Sequence, residues 1–197
     1  MNFTEPMIFI RDNFTTPWRD GQVTIKQGWR PHRDVSRQLG YTTDMIDMSE
    51  NNYGTYVWAP EFANVHSTFP YEEKPLLIDG LEWPHSEGYF QAMKAFGTYD
   101  WEYARAKIAH CDPLDSWSVG QRLKLRNDWD QVKDQIMMTA IREKFKAPYL
   151  KALLISTKDY PLVQLKRCRY WGSGPDGKGL NKLGVLLENL RDEIKNS

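Results

Sequence analysis

The chain has 197 residues, of which 41% are hydrophobic, so it is long enough to bury the core of one domain of ordinary size. Its 26 Lys and Arg residues balance its 26 Asp and Glu residues, which excludes a whole-protein attraction to nucleic acid or membrane. Cys111 and Cys168 are too few for a disulfide scaffold, and no stretch approaches the roughly 20 apolar residues of a membrane span. We therefore expect a soluble cytoplasmic protein that binds any phosphate through a local site.

The N-terminal quarter combines weak periodicity with many turn-forming residues, which indicates strands and loops. Gln22–Lys26 alternates polar and apolar residues and predicts one short strand. A basic segment from Trp29 to Arg37 could contact phosphates, although a solvated loop is the other interpretation. We predict that residues 1–52 form an N-terminal extension packed on a domain that spans residues 53–197.

A hairpin and a helix are predicted in the middle of the chain. Leu76–Trp83 reads as two short strands joined by the turn Asp79-Gly80. Ser86 then opens a helix that we expect to run through Phe96, with Glu87 in its first turn.

Capping residues and apolar spacing predict the remaining elements. In chain order these are a helix that Asp112 caps at Pro113, a helix capped by Asn127 or Asp128 that runs to about Lys146, a helix begun by Pro148, and a strand at Leu162–Leu165. The buried stripe of the second helix is expected at Trp129, Val132, Ile136, Ala140 and Ile141. A final helix is predicted from the three-four spacing of Leu180, Leu183, Leu187, Leu190 and Ile194.

Glu87 is the first candidate for chemistry, because it lies near the aromatic residues Trp83, Tyr89 and Phe90. A carboxyl group in such surroundings is suited to general acid–base catalysis. The alternative is a first-turn carboxylate that only complements the helix dipole.

A glycine-rich loop from Tyr170 to Asn181 is the second candidate. Its glycines permit close backbone approach, and its amides would point from a helix N-terminus toward a phosphate. Glycine-rich loops also serve as plain turns, and this one does not have the GxxxxGK[ST] pattern. Trp171 lies outside any apolar stripe and favours stacking on a ring, whereas Trp129 belongs to a stripe and favours the core.

These clusters together resemble the NADAR, or YbiA-like, family from about Tyr53 to Ile194. The residues that carry the resemblance are Phe62, Asn64, Trp83-Pro84, Glu87, Tyr89-Phe90-Gln91-Ala92, Lys94-Ala95, Gly120, Arg122, Arg126, Trp129, Lys133, Met137, Lys144-Phe145, Leu153-Leu154, Leu162-Val163, Trp171-Gly172, Gly174, Gly177-Lys178-Gly179, Asn181, Leu183-Gly184 and Arg191. The resemblance implies one compact, mainly helical α+β domain with a small antiparallel sheet. It also implies cleavage of N-glycosidic bonds without a metal, and no cofactor is expected.

The chain departs from the family pattern at three positions. Gly88 replaces the usual His, and Val65 stands where Phe is common. Cys168 occupies a position where the family tends to have Asp. The missing charge could come from Asp130, Asp159 or Asp176, or Glu87 could act alone.

The resemblance implies Glu87 as the catalytic residue and a set of substrate-binding residues, namely Phe62, Asn64, Tyr89, Gln91, Lys94, Trp129, Trp171, Gly172, Gly174, Lys178 and Asn181. Our first hypothesis is removal of ADP-ribose from guanine in DNA or RNA, a repair reaction that would counter an ADP-ribosylating toxin. The alternatives are hydrolysis of early riboflavin-pathway intermediates and a catalytically silent module that binds ADP-ribose. No membrane or obligate protein partner is expected.

Overall fold

The computed structural model describes residues 7–10, 56–58, 62, 75–164, 166–174 and 177–197. Its strands are Met7–Ile10 (β1), Tyr56–Trp58 (β2), Leu76–Ile78 (β3), Leu81–Trp83 (β4) and Leu162–Gln164 (β5). Its helices are Ser86–Ala92 (α1), Trp101–Ile108 (α2), Pro113–Gly120 (α3), Trp129–Lys144 (α4), Pro148–Ser156 (α5) and Lys182–Lys195 (α6). The mainly helical α+β class is confirmed. The strand predicted at Gln22–Lys26 lies outside the described residues, as do the basic segment Trp29–Arg37 and Asn64.

The chain divides into two compact units. Residues Met1–Ala63 and Pro148–Ser197 form the first, which we call the terminal unit, and Asn64–Ala147 form the second, the central unit. The terminal unit contains β1, β2, β5, α5 and α6, whereas the central unit contains β3, β4 and α1 to α4.

The predicted hairpin opens the described part of the central unit. β3 and β4 pair antiparallel, with Leu76 opposite Trp83 and Ile78 opposite Leu81. The turn residues Asp79 and Gly80 have φ angles of 53° and 74°, as an Asp-Gly turn of a two-residue hairpin requires. The prediction of this antiparallel sheet is therefore confirmed.

Helix α1 follows the hairpin directly, begins at Ser86 as predicted and differs from the prediction at its C-terminal end. His85 is its N-cap, because Nδ1 of His85 accepts the Gly88 amide at 2.9 Å. The α-helix ends at Ala92 and continues as a short 3-10 turn, Met93–Ala95. Every residue of α1 is buried, so its side chains hold fixed positions.

The remaining helices of the central unit test the other capping predictions. Asp112 caps α3 as predicted, since its Oδ1 accepts the Asp115 amide at 2.8 Å. Asp128 occupies the N-cap position of α4, but its carboxylate pairs with Arg126 instead of capping.

The predicted stripe of α4 is buried at Ile136, Ala140 and Ile141 and only half-buried at Trp129 and Val132. Helix α2 was not predicted, because only Ala104 and Ile108 of its residues are buried and they form no extended stripe.

The terminal unit contains a second sheet that the sequence analysis did not predict. Its three strands are parallel in the order β2-β1-β5, with Ile8 opposite both Val57 and Leu162. Helix α6 buries Leu183, Leu187 and Leu190 as predicted. Leu180 was wrongly included in that stripe, because it precedes the helix and is 59% exposed. Within the described ranges, no helix is both long and apolar enough to cross a membrane.

Candidate functional site

Glu87 and Gln91 lie one helical turn apart on α1, and both are buried. Glu87 is 6% exposed, and Nε2 of Gln91 donates a hydrogen bond to its Oε1 at 2.7 Å. Residues at this spacing face each other on a helix, so the primary sequence alone places the pair in contact. The hydrogen bond fixes the orientation of a carboxylate that has little contact with water.

Lys94 lies in the 3-10 turn that follows α1, and its ammonium group is near the Glu87 carboxylate. Burial lowers the pKa of the Lys94 ammonium, and the nearby charge of Glu87 opposes that shift by raising the pKa. The ammonium also donates to the carbonyl oxygen of Gly120, with Nζ and O 3.4 Å apart. We call Glu87, Gln91 and Lys94 the Glu87 cluster.

Gly120, the last residue of α3, packs directly against the Glu87 cluster. A Cβ atom at this position would overlap Oε1, Cδ and Cβ of Gln91. The backbone of Gly120 has no positive φ, so the requirement for glycine is one of space rather than of conformation. Sequence reasoning gave this residue no role, because a glycine at a helix end is typical of an ordinary C-terminus.

Aromatic rings pack around α1, as the sequence analysis expected. Tyr89 meets Trp83 edge to face with ring centroids 5.4 Å apart, and Phe90 meets Trp129 at 5.1 Å. Burial raises the pKa of the Tyr89 hydroxyl to about 12, so Tyr89 stays protonated and serves as a neutral wall. Trp129 is half-buried, and this leaves part of its ring surface accessible for the predicted stacking on a substrate.

His85 stabilises the start of α1 in its neutral form. Its Nδ1 accepts the Gly88 amide, so Nε2 must carry the proton that it donates to the Cys111 carbonyl at 3.0 Å. Burial lowers the pKa of this imidazole, which also favours the neutral form. Across the ranges that the structure describes, no group of three or more His, Cys, Asp or Glu residues is placed to hold a metal ion.

Backbone amides of the glycine-rich loop in the terminal unit donate hydrogen bonds to nearby backbone carbonyls. The Gly172 amide donates to the Cys168 carbonyl at 3.0 Å, and the Gly174 amide donates to the Lys166 carbonyl at the same distance. The first turn of α6 is closed in the same way, since Lys182 and Leu183 donate to carbonyls of the loop. Because each of these amides already has a backbone acceptor, the contacts favour the plain-turn alternative, and phosphate binding by the loop stays a prediction.

The side chain of Asn181, which was expected to contact phosphate, is hydrogen-bonded to the backbone of β5. Its Oδ1 accepts the Gln164 amide at 2.8 Å, and its Nδ2 donates to the Leu162 carbonyl at 2.7 Å. The side chain is 5% exposed and joins the start of α6 to β5. These contacts favour a role in folding over a contact with substrate.

We expect Asn181→Ala to destabilise the protein by about 3 kcal/mol, since each lost buried hydrogen bond leaves an unsatisfied partner at about 1–3 kcal/mol. Urea unfolding followed by tryptophan fluorescence measures the change. Asn189→Ala, an exposed asparagine on the same helix, is the matched control and should leave stability unchanged. Equal stability of both variants would mean that the Asn181 contacts contribute nothing.

The other predicted substrate-binding residues of the terminal unit differ in how exposed their side chains are. Phe62 is fully buried, which favours packing, while Lys178 is exposed and Trp171 is half-buried. Trp171 packs edge to face on Tyr170 with ring centroids 5.0 Å apart. Substrate contacts of Lys178 and Trp171 stay predictions.

Cys168 is exposed. Asp159 and Asp130, which could supply the negative charge that the family tends to have at this position, are exposed as well. Asp159 accepts from Nζ of Lys195 at 2.7 Å, and Asp130 accepts from Nζ of Lys133 at 2.6 Å. Neither Asp lies in a buried position comparable to that of Glu87, while Asp176 lies outside the described residues. Among the residues that the structure describes, Glu87 is thus the buried carboxylate on which a mechanism can be built.

Comparison with known proteins agrees with this fold. N-glycosidase YbiA of Shigella flexneri serotype 5b is 35% identical over 154 residues, which cover 76% of this chain and 91% of that protein. The NMR structure of Escherichia coli YbiA matches with a TM-score of 0.59 at 33% identity and covers 77% of this chain and 83% of that one. The chloroplastic riboflavin biosynthesis protein PYRR of Zea mays is 36% identical over 129 residues, covering 59% of this chain and 20% of that protein.

These relatives support a hydrolase that acts on N-glycosyl bonds as the class of protein. The model of the NADAR domain matches residues 51–195. The chain therefore belongs to the NADAR domain family, as the sequence resemblance indicated.

Proposed function

We propose that the protein is an N-glycosidase that removes ADP-ribose from guanine in DNA or RNA, with Glu87 as its catalytic residue. The observation that carries the N-glycosidase activity in this proposal is the Glu87 cluster, in which a buried carboxylate is oriented by Gln91 and lies within the electrostatic influence of Lys94. Such an arrangement suits a reaction that develops opposite charges on the two sides of one bond.

Glu87 would act on the sugar side of the scissile bond. Cleavage of a ribose–base bond builds positive charge on the anomeric carbon and the ring oxygen, which a fixed carboxylate stabilises. The same carboxylate accepts a proton from the attacking water. Burial strengthens both effects, because the site has fewer water molecules to screen the charge.

Lys94 would act on the base side, while Gln91 would keep Glu87 in place. The departing base carries the bonding electrons and needs hydrogen-bond donors or a proton. The lowered pKa of the Lys94 ammonium makes it a better proton donor than an ordinary lysine. Nε2 of Gln91 already donates to Glu87, and Oε1 of Gln91 is buried against Gly120 without a hydrogen-bond partner among the described residues, so Gln91 serves to position Glu87.

Hydrolysis of early riboflavin-pathway intermediates is the second candidate function. The similarity to the Zea mays riboflavin biosynthesis protein favours it. The same carboxylate chemistry would serve either substrate, so the Glu87 cluster does not discriminate between them. The difference lies in whether the substrate is a polymer or a free nucleotide.

Incubation of the purified protein with a guanine-ADP-ribosylated oligonucleotide, followed by mass spectrometry, tests the proposal. We expect free ADP-ribose and an oligonucleotide restored to its unmodified mass. Release of base from free nucleotide intermediates of the riboflavin pathway, with no action on the oligonucleotide, would select the riboflavin-related function. Binding of ADP-ribose by calorimetry without turnover of either substrate would leave the silent module.

A further inference from the structure

The segment between α3 and α4 carries a cluster of cations close to the Glu87 cluster. Arg122 and Lys124 are exposed, and the side chain of Arg126 is 18% exposed. Leu123, which lies between Arg122 and Lys124 in the sequence, is buried and anchors the segment to the central unit. We call residues 121–128 the basic loop.

Three contacts fix the basic loop against the connection between α1 and α2. The Arg126 amide donates to the Lys94 carbonyl at 2.7 Å, and the Lys124 amide donates to Oδ2 of Asp100 at 2.7 Å. The Arg126 guanidinium also lies 5.3 Å from the centre of the Phe96 ring. The backbone that carries the exposed cations is therefore fixed, one hydrogen bond away from a member of the Glu87 cluster.

Aromatic rings are exposed beside these cations. Phe96 is 46% exposed and meets Trp101 edge to face at 5.1 Å, which holds its ring in place. Tyr99 is 84% exposed and directly precedes Asp100, the residue that accepts the Lys124 amide. Rings of this kind provide flat faces on which unpaired bases stack.

We propose that the basic loop, together with Phe96 and Tyr99, binds the single strand that flanks a modified guanine. Arg122 and Lys124 contact its phosphates, and the two rings stack on neighbouring bases. Charge complementarity and the position next to Lys94 favour this partner, because cations interleaved with aromatic rings match a single-stranded nucleic acid. The inference deepens the proposed function and rests on it for the identity of the substrate.

Removal of the two exposed charges in Arg122→Gln/Lys124→Gln tests the phosphate contacts. We expect KM for a guanine-ADP-ribosylated single-stranded oligonucleotide to rise about tenfold at moderate salt, and the log–log salt slope of binding to fall by about 1.4. Turnover of free ADP-ribosylated guanosine should not change, since it lacks flanking phosphates. Lys146→Gln/Lys151→Gln removes two exposed charges elsewhere and is the matched control, for which both substrates should behave as in the wild type.

Tyr99→Ala tests the stacking separately. We expect oligonucleotide binding to weaken about tenfold without a change in salt slope, because stacking releases no counterions. Circular dichroism melts of all variants exclude loss of fold.

Two results would overturn the inference: unchanged oligonucleotide binding in both variants, or an equal loss on oligonucleotide and free guanosine substrates. Wild-type protein that cleaves neither substrate would refute the proposed function instead. In that case, binding of the unmodified oligonucleotide by the same variants still decides whether this surface holds a single strand.

Discussion

Glu87→Gln should lower turnover by at least about a hundredfold while leaving the fold and the binding of ADP-ribose intact. General acid–base groups contribute on the order of a hundredfold or more, and the substitution removes the charge without changing the shape. The new amide keeps an oxygen that can accept from Nε2 of Gln91, so the contact with Gln91 survives. Single-turnover kinetics separates the chemical step from binding, and calorimetry measures binding directly.

The control for this substitution is Glu82→Gln, which neutralises an exposed carboxylate on β4 in the same unit. Its turnover should equal that of the wild type. If Glu87→Gln also retained near-normal turnover, Glu87 would be only a first-turn carboxylate of α1, and the mechanism would be wrong.

Gly120→Ala should lower turnover by about tenfold or more, although Gly120 contributes no side chain of its own. The added Cβ displaces the Gln91 carboxamide, and the hydrogen bond that orients Glu87 is lost. Hydrogen bonds to charged groups contribute about 1.5–3 kcal/mol, which corresponds to at least a tenfold change in rate. The melting temperature should fall only moderately, since much of the overlap is with a flexible side chain.

A double-mutant cycle distinguishes this positioning role from general loss of packing. Gln91→Ala alone should reduce turnover about as much as Gly120→Ala, because both break the same hydrogen bond. In the Gln91→Ala background, the second substitution should then have little further effect. Additive losses would show that Gly120 acts on the site by another route.

Elements governed by local chemistry were predicted well. The Asp79-Gly80 turn and the Asp112 cap depend on residues within three positions of each other, and both were found as predicted. The contact between Glu87 and Gln91 was not predicted, although it is equally local and needs only one helical turn.

Features that join distant parts of the chain were not predictable in this way. β1 and β5 are three- or four-residue strands separated by about 150 residues, so no local pattern links them. The overlap of Gly120 with Gln91 depends on how α3 packs against α1, which a single sequence does not reveal. The sequence left the role of the glycine-rich loop open for a related reason, because its composition does not show that nearby carbonyls accept from the Gly172 and Gly174 amides.

The middle strand of the parallel sheet comes from residues that precede the match to the family. β1 lies between β2 and β5, whereas the family match begins at residue 51. Neighbouring strands are about 4.8 Å apart, so removal of β1 would leave β2 and β5 separated by roughly 10 Å, too far to pair. Both would then present bare backbone edges that can recruit strands from other chains and promote aggregation. The segment that matches the family is therefore shorter than the segment that forms the fold. A truncation at the start of the family match would remove the middle strand of the sheet.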